Sequence, residues 1–185
     1  MLTFNFDPFP VIQTERLLLR KVTLDDAPDF FRARSDSNTM KYIGRPLHTS
    51  VSETETLIKQ ILEGLGSNNT IAWAISGKES QKFMGTIGYH RITPEHHRGE
   101  VGYLILSEYW NKGFVKEALK PVLNFAFTEM KLHSIEAKIN PLNAASRKVL
   151  TGSGFVKEAY FKEDFFYEGK FQDTEIYSLL TPGNQ

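Results

Sequence analysis

Asn111, Lys112 and Gly113 stand where a strand-like run, EVGYLIL, gives way to a strongly periodic helix. A helix start carries unpaired backbone N–H groups and a partial positive charge, which together suit an anion and above all a phosphate. Lys112 adds a formal positive charge at the same place. Gly113 permits dihedrals that a side chain forbids and lets a bulky anion approach the backbone. Asn111 tolerates a left-handed conformation and can cap. Taken alone, the turn reads equally well as an ordinary strand-to-helix connection that uses glycine for geometry. A second stretch, INPLNAASRKVLTGSGF, puts Asn143 at a helix cap, Ser146 three residues on, and Gly154-Phe155 at the exit. Alone, that stretch reads as a capped helix and nothing more.

Other chemistries are poorly provided for. The 185-residue chain has no cysteine, which excludes disulfides, thiolate metal sites and a cysteine nucleophile. Any acyl transfer therefore cannot pass through a cysteine thioester. Five histidines are scattered, and the His96-His97 pair lies in a polar stretch without metal-ligand spacing; they read as surface histidines, and no metal is expected. Gly169-Lys170 lacks the earlier glycine of a phosphate-binding loop, because Asp164 stands there. Ser153, in TGSGF, is not the serine of a hydrolase elbow. Lysine plus arginine equals aspartate plus glutamate at 22 each, so there is no electrostatic footprint for nucleic acid. No apolar run reaches the ~18 residues a membrane span needs. The segment MLTFNFDPFP carries acid and proline where a signal peptide has positive charge and an apolar stretch. A cytoplasmic protein without a membrane partner is expected.

Around these residues the chain alternates strands and helices. RLLLRKV reads as a strand, TLDDAPDFFRARSD as a helix, SNTMKYIG as a loop, and TSVSETETLIKQILEGL as an amphipathic helix. TIAWAIS, KFMGTIGYHRI and RGEVGYLIL follow as strands. The next helix repeats Val115, Ala118, Leu119, Val122, Ala126 and Met130 at helical spacing, with Pro121 predicting a bend. SIEAKI, GFVKEAYF and GKFQDTEIYSLL read as the remaining strands. Without a strict β-α-β rhythm, an α/β (α+β) fold with a mixed sheet is favoured over a purely parallel one. No repeat or linker appears, so residues 1–185 are expected to form one domain with a core over about 14–180. The aromatic residues Phe161, Phe165, Phe166, Tyr167 and Phe171 are expected in the core; a substrate wall or a homodimer face are the alternatives.

Three stretches in order resemble the GNAT superfamily of acetyl-CoA-dependent N-acetyltransferases, and within it the Rim-type branch that includes ribosomal-protein N-terminal acetyltransferases. They are TERLLLRKVTLDDAPDFF, GEVGYLILSEYWNKGFVKEAL and NPLNAASRKVLTGSGFVKEAY. The resemblance covers about Thr14 to Leu180. It implies a twisted mixed sheet of about seven strands, flanked by about four helices, whose two central parallel strands splay apart. The donor would be acetyl-CoA, with its pantetheine arm in the gap on the backbone of Leu104 and Leu106, with Ile105 between them. Its pyrophosphate would sit on the N–H groups of Asn111, Lys112, Gly113, Phe114 and Val115. The superfamily's Q/R-x-x-G-x-G/A loop becomes Trp110 to Val115, and Val115 is bulkier than the usual last residue. Asn143 would hold the pantetheine or an ordered water.

The resemblance also suggests chemical roles. Glu100, opening the central strand, would be the base; the competing reading is an ion pair with Arg91 or Arg98. Many members carry a tyrosine acid where this chain has Leu150, so Ser146 becomes the substitute proton donor. The acceptor would be a primary amine, either a protein N-terminus or a small amine such as a polyamine, amino acid or amino-sugar drug. Its site is expected from SDSNTMKYIG, the second helix and the final hairpin. A non-catalytic acyl-CoA sensor is the alternative outside enzymology.

Overall fold

The computed structural model describes residues 2–183. Eight strands form one sheet: β1 (Ile12–Gln13), β2 (Leu17–Lys21), β3 (Ile71–Gly77), β4 (Phe83–Thr93), β5 (Arg98–Ile105), β6 (Ser134–Ile139), β7 (Val156–Tyr167) and β8 (Lys170–Leu180). Their order across the sheet is β1-β2-β3-β4-β5-β6-β8-β7. Only β5 and β6 run parallel; every other neighbouring pair is antiparallel. The helices are α1 (Ala27–Ser35), α2 (Ser37–Met40), α3 (Val51–Gly66), α4 (Phe114–Thr128) and α5 (Ala144–Thr151).

This is the expected mixed sheet, with one strand and one helix more than the sequence suggested. The extra strand is a two-residue pairing, too short for alternation to mark. The extra helix replaces an expected loop. The Asp36 carboxylate accepts from the amides of Asn38 and Thr39, so a cap rather than an apolar stripe creates this single turn.

Alternation along the strands divides the core between the two sheet faces. On one face Leu19, Trp73, Ile87, Val101, Ile105 and Ile135 pack against Ala118, Leu119, Val122 and Ala126 of α4, and Leu150 of α5. This matches the stripe read from the α4 sequence, and α4 runs through Pro121 as one helix. On the other face Val22, Ala74, Phe83 and Leu106 meet Phe30 and Ala33 of α1 and Ile58 of α3. Burying either helix stripe contributes roughly 1.5–3 kcal/mol for each large side chain taken fully out of water.

The expectation that the aromatic residues of the last hairpin form core is overturned. Phe161, Phe166 and Phe171 are 48%, 61% and 64% exposed. β7 is an edge strand, and its outward face has no helix to cover it. Phe165 instead leans over the loop after α2, where its ring lies against Gly44.

Candidate active site

The β5–β6 pairing is three residues long. Arg98, Gly99 and Glu100 lie opposite Ser134, Ile135 and Glu136, and both strands then continue without pairing to Ile105 and Ile139. A parallel pair that opens in mid-sheet leaves backbone donors and acceptors without partners, a cost that folded chains rarely carry without a use. Which groups are left follows from one hydrogen bond. The Leu106 amide donates to the Met84 carbonyl on the β4 side, at 2.9 Å. Alternate residues of a strand address the same neighbour, so Leu104 also turns to β4. Val101, Tyr103 and Ile105 face the gap. The sequence-based choice of Leu104 and Leu106 was thus one residue out of phase; Ile105 keeps its place, and Tyr103 joins it. Side-chain burial gives the same phase, since Leu104 and Leu106 pack with α1.

At the far end of β5 the turn into α4 is open. Asn111 and Gly113 both have left-handed backbones, with φ of 58° and 79°. Alternation of left-handed residues curls successive N–H groups inward, which makes an anion nest. Gly113 is the helix N-cap residue, and no side chain caps that end, so the first-turn amides, those of Phe114 and Val115 among them, are left for a ligand. A methyl group at Gly113 would meet only Arg16, 3.7 Å away. Val115 turns inward and packs partly buried against the core rather than across the turn. Lys112 stays exposed, its ammonium 5.9 Å above the Tyr109 ring. Arg16, which the sequence reading passed over, braces the turn. Its guanidinium donates to the Lys112 carbonyl at 3.1 Å, pairs with Glu117 at 2.6 Å, and lies 4.4 Å above the Phe114 ring. The Trp110 indole donates to the Ile105 carbonyl at 2.9 Å and ties the turn to β5.

Glu100 sits at the vertex where the strands part. Its carboxylate takes a hydrogen bond from Lys138 at 3.0 Å, across the gap, and not from Arg91 or Arg98. Arg98 pairs with Glu136 at 2.7 Å instead. Burial pulls the Glu136 carboxyl upward, but the Arg98 hydrogen bond and the charges of Lys138 and Arg98 outweigh it and hold its pKa below the ordinary value. His90, the extra residue of a bulge in β4, lies with its imidazole over Gly102. Its side chain is exposed to solvent. Desolvation of the ring where it packs lowers its pKa, with Glu100 opposing, so the ring is neutral near pH 7.

Asn143 caps α5: its Oδ1 accepts from the Ser146 amide at 3.0 Å, which leaves its side-chain N–H₂ free to bind. The Ser146 hydroxyl is buried and meets the Tyr103 hydroxyl at 2.6 Å. Burial pushes the Tyr103 phenol up to about 12, against the pull of the Ser146 hydrogen bond. A tyrosine is therefore present beside Ser146, although Leu150 is a core residue. Spacing along α5 does not reveal it, because Tyr103 comes from β5. Glu175 anchors the neighbouring Arg147 and Lys157 at 3.1 and 3.0 Å.

An opened parallel pair ending in an anion nest fits an elongated donor with a diphosphate and an amide-bearing arm. The amides of Tyr103 and Ile105 can pair with the arm, and those of the turn with the phosphates. Among the described residues no cluster of three or more metal-ligand side chains occurs, and no helix is long and apolar enough to cross a membrane.

Comparison with known proteins agrees. The family model for the acetyltransferase (GNAT) domain matches residues 16–156. An uncharacterised N-acetyltransferase of Bacillus licheniformis, p20, is 34% identical over 91% of this chain and 95% of its own. The uncharacterised N-acetyltransferase YoaA of Bacillus subtilis (strain 168) is 31% identical over 94% of this chain and 98% of its own. The crystal structure of a GNAT-family acetyltransferase from Bacillus anthracis superposes with a TM-score of 0.82 at 29% identity, covering 92% of this chain and 98% of that one. With its β5–β6 seam opened after Glu100 and a left-handed turn at Asn111 and Gly113 leading into α4, the chain belongs to the GNAT family of acetyl-CoA-dependent N-acetyltransferases.

Proposed function

We propose that the protein moves an acetyl group from acetyl-CoA to a primary α-amine by direct attack with both substrates bound, a protein N-terminal residue being the leading form of acceptor. The observation that carries this is the opening of the β5–β6 pair after Glu100, beside that residue's carboxylate. In this reading the Ile105 amide holds the pantetheine arm, and the Asn111 to Val115 backbone with Lys112 holds the pyrophosphate. Asn143 steadies the arm through its free N–H₂. The Tyr103 amide faces the thioester carbonyl and stabilises negative charge on its oxygen. Ser146 supplies a proton to the departing thiolate and is reprotonated by Tyr103, which regains its own proton from water.

Deprotonation falls to Glu100 through water. An α-amino group has a pKa of about 7.7–8.0, against about 10.4 for lysine, so removing its proton needs less assistance than removing one from a lysine side chain. The loop after α2 and the β7–β8 hairpin, which touch at Gly44 and Phe165, close the acceptor side.

More distant relatives represent both acceptor classes, the protein N-terminus and the small amine. One is a [ribosomal protein uS5]-alanine N-acetyltransferase of Escherichia coli (strain K12), 23% identical; another is a spermidine N(1)-acetyltransferase of Vibrio cholerae, 24% identical. A thiol-release assay with acetyl-CoA, offering N-terminal peptides beside small amines, tests the proposal. Turnover of α-amines supports it. Saturable coenzyme A binding without turnover on any amine would replace it with a sensor.

A further inference from the structure

Eight arginines occur in the chain, and among the described residues five have carboxylate partners: Arg16 with Glu117, Arg20 with Asp26, Arg32 with Asp29 and Glu108, Arg98 with Glu136, and Arg147 with Glu175. Arg34 is different. It lies in the last turn of α1, only partly exposed, and no carboxylate among the described residues pairs with it or with Arg45. Its Nε donates to His48 Nε2 at 3.3 Å, and its Nη1 faces the Met40 sulfur at 3.4 Å. His48 Nδ1 meets Thr54 Oγ1 at 2.7 Å. With Nε2 accepting, Nδ1 carries the proton, so the ring is neutral and adds no negative charge. Burial, followed by the charge of Arg45, lowers the pKa of Arg34, with Tyr167 opposing. The His48 amide donates to the Arg34 carbonyl at 3.1 Å, which holds the segment after Gly44 against the end of α1. A half-buried guanidinium there, with Arg45 on the same segment and no acid among the described residues to answer either, is costly. The C-terminal dipole of α1 offsets only a fraction of a charge.

The position is informative. Arg45 follows Gly44, against which the Phe165 ring packs, and Phe165 stacks on Tyr167 at 6.2 Å. The arginines thus sit where the hairpin leans over the loop after α2. This is the sheet face on which Leu104 and Leu106 meet α1, and alternation along β5 puts the Glu100 side chain on that face too. Guanidinium forks match carboxylate and phosphate oxygens two at a time.

We propose that Arg34 and Arg45 form an oxyanion subsite for the acceptor, so that the amine this enzyme acetylates also carries a carboxylate or phosphate. The inference rests on the acetyltransferase reading and narrows its substrate class. It disfavours polyamines, whose positive charges the pair repels.

Matched acceptors test it, with coenzyme A release as the readout. They are amino acids and dipeptides against their C-terminal amides, phosphoethanolamine against ethanolamine, and spermidine. The anionic member of at least one pair should show a kcat/KM at least tenfold above its neutral partner. Whichever pair shows it identifies the group as carboxylate or phosphate. Arg34→Met should bring that ratio close to one without changing KM for acetyl-CoA. Arg45→Ala, at an exposed position with little risk to folding, should reduce it severalfold. Equal turnover of charged and neutral partners, a preference for spermidine, or ratios unchanged in both variants would overturn the inference and leave the acetyltransferase reading standing. Failure of every amine to react, in protein that still binds acetyl-CoA, would overturn both.

Discussion

Tyr103 and Ser146 meet hydroxyl to hydroxyl at 2.6 Å, joining the strand on one side of the open seam to the helix that follows the strand on the other. Serine alone is a poor acid. In the proposed mechanism a buried phenol behind it restores the proton that serine gives to the departing thiolate. Tyr103→Phe keeps the ring and removes the relay, so kcat should fall on the order of 10- to 100-fold, at the low end of general acid–base effects. KM for acetyl-CoA should stay within about twofold. Ser146→Ala should behave similarly, and the double variant should be little worse than either single one, as expected of groups acting together. Additive losses in steady-state kinetics would separate the two hydroxyls.

Glu100 and Lys138 face each other across the seam at 3.0 Å, both partly exposed. An ion pair of this kind contributes about 0–1 kcal/mol to stability. Glu100→Gln should therefore leave the melting temperature almost unchanged while lowering kcat/KM for the amine at least tenfold. Higher pH should recover part of the loss, because the free amine then forms without a base. A pH–rate profile checks this; an unaltered rate at pH 7 would remove Glu100 from the chemistry.

How far these residues were legible beforehand depended on the range of the signal. The Asn111 to Gly113 turn and the α4 stripe are local patterns, and they were readable residue by residue. The phase of β5 was not. Which alternate amides of a strand point to a gap depends on the neighbouring strand's register, and Leu104 looks no different from Tyr103 in EVGYLIL. The Tyr103–Ser146 contact and the Arg16 brace span 43 and 96 residues of sequence, so spacing could not reveal them. The exposed hairpin aromatics misled for the opposite reason: composition suggests burial, but position at the sheet edge decides it.

Glu175 is the buried carboxylate of the helix-anchoring cluster. Burial raises its pKa, but hydrogen bonds from Lys157, Arg147 and Tyr177 outweigh that and leave it below the ordinary glutamate value. A depressed folded-state pKa means that the stabilisation is complete above the unfolded value of about 4.3 and is lost as pH falls through the lower, folded one. Acid unfolding should therefore set in below about pH 4.3. Glu175→Gln should lower stability near neutrality by about 1–3 kcal/mol and flatten the acid limb. Thermal melts between pH 3 and 7 measure both effects.

At Gly113 the left-handed backbone, and not crowding, forbids a side chain: φ is 79° and the nearest atom to an added methyl is 3.7 Å away. Gly113→Ala should cost about 1–2 kcal/mol of stability. It should also weaken acetyl-CoA binding by tilting the turn's amides away from the pyrophosphate. Equilibrium titration of the variant beside thermal melts checks the two together.

The central claim is that acetyl-CoA docks along the seam opened after Glu100, with its diphosphate in the turn at Asn111 to Val115. Isothermal titration calorimetry with acetyl-CoA tests it most directly, on the native chain and on Gly113→Ala. Saturable one-to-one binding of the native chain, weakened severalfold in the variant, is the predicted result. No heat of binding to the native chain, or equal affinity in both proteins, would contradict it.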